Sequence, residues 1–403
     1  MRILNVTQTY APFFEFGGPP VKVKALAEGM ARRGHDVTVL TADWGLEARL
    51  AQSPNEPKPD SSPFGRRTKV NEVTAVYLPV WARFRATTWN PALGRYLRAR
   101  LGDFDVVHIF GLYDLLGPSV AKECRKRGIS YVVEPIGMFV PLVRNFWLKK
   151  IYHRAFGHDM LEGADAIIVT ADQERDDLLA GGFPQQKVIL RRNGVENPGT
   201  LPERGLFRSA QQIPAQAKLI LFLGRLSPKK SPDLLLKAFA ALAETAKSFG
   251  DTPHLAFVGP DESGMKTRLQ QLAGELSAAQ RVHISPPLEG EAKWSAYRDA
   301  DIFVLPSQNE NFGNSAAEAV AAGVPVIVTD QCGIAPLLAD TAAVVVKHDQ
   351  QELRDAMHRL LNDQQFYAKL QQGCAAAIAK LGWQQPLDQM EQIYSRLARP
   401  AGP

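Results

Sequence analysis

Residues 2–42 read RILNVTQTYAPFFEFGGPPVKVKALAEGMARRGHDVTVLTA. Ile3-Leu4-Asn5-Val6 is a short, mostly apolar run, the mark of a buried strand. A loop carrying Gly17-Gly18-Pro19-Pro20 follows, and over 21–33 the apolar positions Val23, Ala27 and Met30 fall near helical spacing. Gly34 is placed to close that helix as its C-cap. Asp36-Val37-Thr38-Val39-Leu40-Thr41 then reads as a second strand. Strand, glycine loop, helix, strand is a βαβ unit, whose right-handed crossover makes the two strands parallel.

The same alternation continues outward. Val106-Val107-His108-Ile109-Phe110, Tyr131-Val132-Val133, Ala166-Ile167-Ile168-Val169 and Lys187-Val188-Ile189-Leu190 are apolar strands separated by helix-like stretches. This is a doubly wound α/β pattern. The polar, proline-rich stretch 53–67 reads as a surface loop inside it, because a strand pattern resumes at Val73. Residues 196–217, with Pro198, Pro202, Gly205 and Pro214, have no clean periodicity and mark a domain boundary. Beyond it the alternation restarts at Leu219-Ile220-Leu221-Phe222-Leu223-Gly224 and runs through His254–Val258, Ile302–Leu305 and 324–329. The expected architecture is α/β with two Rossmann-like domains, 1–195 and 196–383, and ligands in the cleft outside the carboxyl ends of the strands.

Composition narrows the class. At roughly 100–200 residues per domain, 403 residues fit two domains. A chain 45% hydrophobic and 22% charged is not disordered. No apolar run approaches the roughly 20 residues that span a bilayer, and the N-terminus lacks a signal-peptide pattern, so a cytoplasmic protein is expected. Cys124, Cys332 and Cys374 are far apart, which fits core thiols better than zinc or disulfides. A net charge of +5 is too small an excess to indicate nucleic-acid binding.

The richest local pattern is Pro306-Ser307-Gln308-Asn309-Glu310-Asn311-Phe312-Gly313-Asn314-Ser315-Ala316-Ala317-Glu318. A strand ends, a polar loop follows, and a helix starts whose free N–H groups attract phosphate or a sugar hydroxyl. Glu310 and Glu318 can each accept two hydrogen bonds from a vicinal diol. Ser315-x-x-Glu318 is equally a capping box, and both readings of Glu318 stand. Gly224-Arg225-Leu226-Ser227-Pro228-Lys229-Lys230 follows another strand, with Arg225 and Lys230 above a helix start where a diphosphate leaving group gains charge; such loop cations are also often merely solvated. Gly17-Gly18 is either a tight turn or a close backbone approach to a ligand. His108 inside an apolar strand reads as a core histidine. Asp103-Phe-Asp105 and Asp299-Ala-Asp301 resemble metal pairs but sit at strand entrances with no further ligands, and read as structural; no metal site is expected.

Together these pieces resemble glycosyltransferase family 4, retaining sugar transferases of the GT-B fold. The resemblance rests on Gly17-Gly18, Asp105-Val-Val-His108, Asn193-Gly194-Val195, Gly224-Arg225-Leu226 with Lys230, the Glu-x7-Glu pair Glu310 and Glu318, and Ala322-Gly323-Val324-Pro325-Val326, in family order along nearly the whole chain. It implies that Arg225 and Lys230 hold the donor diphosphate, Glu310 contacts the donor sugar and Glu318 binds the ribose diol. It assigns His108 to the donor-sugar pocket, Gly17 and Gly18 to the ligand loop, Phe312, Gly313, Asn314 and Ser315 to the sugar and phosphates, and Pro287 and Leu288 to the base. It implies two domains facing across a cleft, no cofactor or metal beyond the nucleotide-sugar donor, with UDP mildly favoured over GDP, and a final helix near 384–403 crossing back to the first domain. The chain departs from the family at Phe110, where many members carry a second His, and at Ile136, where many carry another.

Basic and aromatic residues gather over 143–154, with Arg83-Phe84-Arg85, Trp89 and residues 95–100 adding to them. This reads either as a helix for an anionic membrane surface, at the inner face of the membrane, or as a partly buried helix with a solvated basic side. The resemblance implies a glycan or lipid-linked acceptor and a place in surface polysaccharide or glycolipid synthesis. A GT-B sugar-nucleotide epimerase and a non-catalytic sugar-nucleotide-binding protein are the alternatives.

Overall fold

The computed structural model describes residues 1–14, 18–51, 59–84, 87–140, 151–196, 198–246, 253–262, 264–339 and 341–398. The chain forms two compact units, Met1–Arg192 with Trp383–Pro403, and Asn193–Gly382.

The strands of the first unit are β1 (Arg2–Thr7), β2 (Asp36–Ala42), β3 (Asp60–Ser62), β4 (Gly65–Val70), β5 (Val73–Leu78), β6 (Ala82–Phe84), β7 (Thr87–Trp89), β8 (Val106–Phe110), β9 (Tyr131–Glu134), β10 (Ala166–Val169) and β11 (Val188–Leu190). Nine of them make one sheet in the order β11-β10-β9-β8-β1-β2-β5-β4-β3. Ile3 pairs with Val37 on one side and Val106 on the other, both parallel. The helix between β1 and β2 spans Gly18–Arg32, starting earlier than its apolar periodicity suggests because Gly18-Pro19-Pro20 forms its first turn. Gly34 follows it at φ +84°.

One expectation is overturned at the sheet edge. The stretch 53–67 contains strand residues: β3 and β4 form an antiparallel hairpin, and β4 pairs antiparallel with β5. An edge hairpin with one solvated face has no need of apolar residues, so Asp60-Ser61-Ser62 carried no strand signal.

The second unit's strands are β12 (Leu219–Leu223), β13 (His254–Val258), β14 (Val282–Ser285), β15 (Ile302–Leu305), β16 (Val326–Thr329) and β17 (Ala343–Val346). They form a parallel sheet in the order β14-β13-β12-β15-β16-β17. The boundary segment is more structured than its sequence suggests. It holds a helix, Leu206–Ala210, whose Phe207 and the nearby Ile213 are buried in this unit's core. Asp299 anchors that helix by accepting from the N–H groups of Gly205 and Arg208, and Asp301 accepts from the Arg208 guanidinium at 2.8 Å. Asp105 likewise pairs with Arg2 at 3.0 Å, so these acids do structural work at strand entrances.

In each unit the strand order reverses next to the first strand, between β1 and β8 and between β12 and β15. Crossovers leave to opposite faces there, opening a crevice at the carboxyl ends. The glycine loop follows β1, Gly224–Lys230 follows β12, and the Glu310 loop follows β15.

Helix Gln384–Leu397 belongs to the first unit. Its Leu387, Met390, Ile393 and Tyr394 are buried in the same cluster as Val23, Leu26 and Met30. Gly29 lets Leu387 approach, since a Cβ there would lie 2.5 Å from Leu387 Cδ2. Arg33 pairs with Asp388 and Glu391 at 2.6 Å each, and His35 meets Glu391 at 2.9 Å.

Candidate active site

In the second unit, β12 ends at Leu223 and Gly224 turns the chain at φ +153° beneath Lys230. Arg225 lies 3.6 Å from Glu262 and is about half exposed. Ser227-Pro228-Lys229-Lys230 forms a tight turn before helix Pro232–Ala246. The neighbouring crossover is stitched to this turn by Gln308, whose N–H donates to the Lys229 carbonyl at 2.9 Å. Glu310 is held by its own backbone, donating to Gln331 O and accepting from Gly333 N. These contacts bring Lys230 Nζ to 2.6 Å from Glu310 Oε2. Burial pushes the Glu310 carboxyl up, but Lys230, Lys229 and Arg225 more than reverse it and hold the carboxyl below its ordinary value. The site therefore carries an ionised carboxylate inside a cationic loop.

Gly313 takes φ +106° at the start of helix Asn314–Ala321, and a Cβ there would lie 3.0 Å from Ile334 Cγ2. Both conditions call for glycine. Phe312 is buried behind it. Buried Asn314 Oδ1, Ser315 Oγ and Ser307 Oγ have no hydrogen-bond partner among the described residues. With the first N–H groups of the helix they leave donor and acceptor capacity at one helix start.

The capping-box reading of Ser315 and Glu318 is not what forms: no side chain caps this helix. Glu318 instead accepts from Lys293 Nζ and Tyr297 OH, each at 2.8 Å. Lys293 and Tyr297 went unnoticed in the sequence; their i, i+4 spacing before β15 was the available signal. Pro287 is exposed and Leu288 half-buried in the loop after β14.

In the first unit, Gly18 begins the helix after β1, while Gly17 lies outside the described residues. His108 lies deep in the first unit. It is the middle residue of β8, wholly buried, and stacked on Phe110 at 3.9 Å between ring centroids. Its Nδ1 is 2.7 Å from Tyr394 OH and its Nε2 is 3.5 Å from Glu134 Oε2. Burial, Arg191 and Lys22 push the imidazole well below its ordinary pKa, so it is neutral. Burial raises the Tyr394 phenol, which stays protonated beside the imidazole Nδ1.

Around Glu134 lies a buried charge cluster that the sequence did not reveal. Glu134 accepts from Arg191 at 2.7 and 2.9 Å and contacts Lys22 Nζ. Buried Glu174 accepts from Thr170 N and Gly137 N. Lys22 and Arg191 face Glu134 and Glu174 here, tying the helix after β1 to the ends of β9 and β11. Glu174 thereby fixes the turn in which Ile136 takes φ +55°, a left-handed value rare for a β-branched side chain.

The expected basic helix at 143–154 falls mostly on residues 141–150, outside those described. Beyond them Tyr152 OH donates to Asp114 O, and Ile151 is exposed. Among the described residues no helix is long and apolar enough to cross a membrane, and no group of three or more His, Cys, Asp or Glu is placed to hold a metal ion.

Residues 203–376 match the family described as glycosyl transferases group 1, and residues 17–194 match the glycosyl transferase 4-like domain. A D-inositol 3-phosphate glycosyltransferase of Nocardiopsis dassonvillei is 30% identical, the alignment covering 95% of this chain and 90% of that protein. Among solved structures, Anabaena HepE in complex with UDP and glucose superposes with a TM-score of 0.76 at 15% identity, over 98% of this chain and 100% of that one. Sucrose-phosphate synthase from Thermosynechococcus elongatus gives 0.73 at 19% identity, over 98% and 99%. Those structures share the fold, and the sequence matches carry the kinship: the chain belongs to the glycosyltransferases of the GT-B fold, with a group 1 domain following a 4-like domain.

Proposed function

We propose that the chain is a family 4 retaining glycosyltransferase that moves a sugar from a nucleotide-diphosphate sugar to an acceptor hydroxyl without a bound metal. The observation that carries this is the Lys230–Glu310 pair, set by two crossover loops at the strand-order reversal of the second unit. Arg225, Lys230 and the start of helix Asn314–Ala321 would receive the diphosphate, whose charge grows as the C1–O bond breaks. Glu310 would hold sugar hydroxyls, and Glu318 the ribose diol. The acceptor oxygen would bond to C1 from the face the diphosphate leaves, and its proton would pass to the departing phosphate oxygen. Phe312, Gly313, Asn314 and Ser315 would line the sugar and phosphates, Pro287 and Leu288 the base. Gly17 and Gly18 would approach the ligand by backbone. His108, carried on β8, would back the donor-sugar pocket.

The acceptor is read as a glycan or a lipid-linked acceptor in surface polysaccharide or glycolipid synthesis, used by a cytoplasmic enzyme that meets the membrane through 143–154. The name of the Nocardiopsis relative favours a second reading, an inositol phosphate acceptor. A thermal-shift panel of UDP-, GDP- and ADP-glucose, with and without EDTA, tests the donor; UDP is expected to stabilise in either condition. Radiolabelled transfer to inositol 3-phosphate against transfer to a membrane lipid extract separates the acceptors. Stabilisation with no transfer and with epimerised donor would instead indicate an epimerase. Stabilisation with neither product would indicate a binding protein, and no stabilisation by any donor would defeat the reading.

A further inference from the structure

Helix Gly290–Asp299 presents Lys293 and Tyr297, one turn apart on one face, to a single carboxylate. Lys293 Nζ takes Glu318 Oε1 and Tyr297 OH takes Oε2, each at 2.8 Å. Two donors on two different oxygens fix both the position and the plane of the carboxylate. Each oxygen keeps a second lone-pair direction, so a pair of parallel acceptors remains, the arrangement that meets two adjacent hydroxyl groups. The clamp is itself held. Lys293 Nζ lies 5.0 Å from the centroid of the Trp294 ring, and the fully buried Tyr297 ring packs against Trp294 and Phe303, at 5.7 Å from each. Burial and Glu318 raise the Tyr297 phenol far above its usual value, so it can only donate here.

Charge gives Lys293 a second role. A carboxylate beside a diphosphate would repel it, and a partner cation at 2.8 Å cancels that charge locally. Glu310 has the same device in Lys230. Glu310 and Glu318 thus each have their own lysine.

We propose that Lys293 and Tyr297 are positioning residues for donor recognition: they lock Glu318 in the plane that reads the ribose diol and neutralise it toward the diphosphate. This rests on the reading of Glu318 as the ribose-binding carboxylate. Because the ribose is remote from the reacting carbon, the pair acts chiefly on binding of the donor and only weakly on the chemical step.

The test measures dissociation constants of UDP and 2′-deoxy-UDP by calorimetry for wild type, Lys293→Met, Lys293→Arg, Tyr297→Phe, Glu318→Ala and the Lys293→Met/Glu318→Ala double variant. Wild type should favour UDP over its 2′-deoxy form by about tenfold, the worth of a hydrogen bond to a charged group. Lys293→Met and Glu318→Ala should each lose that preference, the double variant should lose no more than either, and Lys293→Arg should keep most of it. In turnover, Lys293→Met should raise the donor KM about tenfold with kcat within about threefold. A merely structural lysine would lower Tm without touching the ribose preference. Retention of the full preference in Lys293→Met, while Glu318→Ala loses it, overturns the proposal and spares the reading of Glu318. Retention in Glu318→Ala removes both.

Discussion

Lys230 and Glu310, eighty positions apart in the chain, form a 2.6 Å ion pair in which the lysine and its cationic neighbours win against burial to keep the carboxyl below its ordinary pKa. The contribution to stability has a definite sign. A depressed carboxyl stabilises the fold above its unfolded pKa, and that part is lost as pH falls through the lower folded value.

Lys230→Met should therefore let Glu310 take its proton at a higher pH than in the wild type, read as the carboxyl carbon chemical shift during titration. On the proposed reading Lys230 meets the leaving diphosphate, so its removal should also slow transfer by about 10²–10³-fold. Unchanged turnover in a folded Lys230→Met protein would remove Lys230 from the diphosphate site.

His108 titrates in the other window. Its pKa is depressed by burial and by two cations, so the unfolded chain binds the proton that the folded chain refuses. Stability should fall as pH drops from about 6.5 toward the folded value. Equilibrium urea unfolding of His108→Gln should show a flatter pH profile over that interval, while equal slopes in both proteins would mean that the imidazole is protonated in place.

Glu134→Gln would leave Lys22 and Arg191 without their shared carboxylate in a dry interior. Breaking a buried pair costs about 3–5 kcal/mol. The expected result is a large drop in Tm, or loss of soluble protein, with Glu134→Asp intermediate. A variant as stable as wild type would show that water replaces the carboxylate.

Gly313→Ala places a side chain at φ +106° and against Ile334. Strain of this kind costs about 1–3 kcal/mol. Tm should fall and UDP binding should weaken, since the helix start that Gly313 sets would shift. Ile334→Val in the same background should recover part of the loss by yielding space, and no recovery would locate the cost in the backbone alone.

How far the sequence carried depends on the range of each interaction. Leu219-Ile220-Leu221-Phe222-Leu223-Gly224 and Pro306-Ser307 announce strand ends by local pattern, so the parallel sheets and the loops bearing Arg225, Lys230, Glu310 and Glu318 could be placed beforehand. Depth could not. His108 belongs to a recognisable motif, yet the motif does not say that all five residues of β8 are buried. Lys22, Glu134, Glu174 and Arg191 lie on separate elements, and only the sheet order brings them together. Lys293 was hidden differently: a lysine on an amphipathic helix looks solvated until the carboxylate it faces is known. Ser315-x-x-Glu318 satisfied a real pattern, but two donors from another helix outcompete the local cap.

Helix Gln384–Leu397 supplies Tyr394 to His108 and, with it, Leu387, Met390 and Ile393 to the core of the unit that begins at Met1. On the ribosome the second unit has its entire chain available first. The half that is synthesised earliest keeps an uncovered apolar face until the residues around 387–394 emerge, so order of synthesis and order of completion are reversed. Nascent chains stalled between the two events would expose that face and be the species most in need of chaperones.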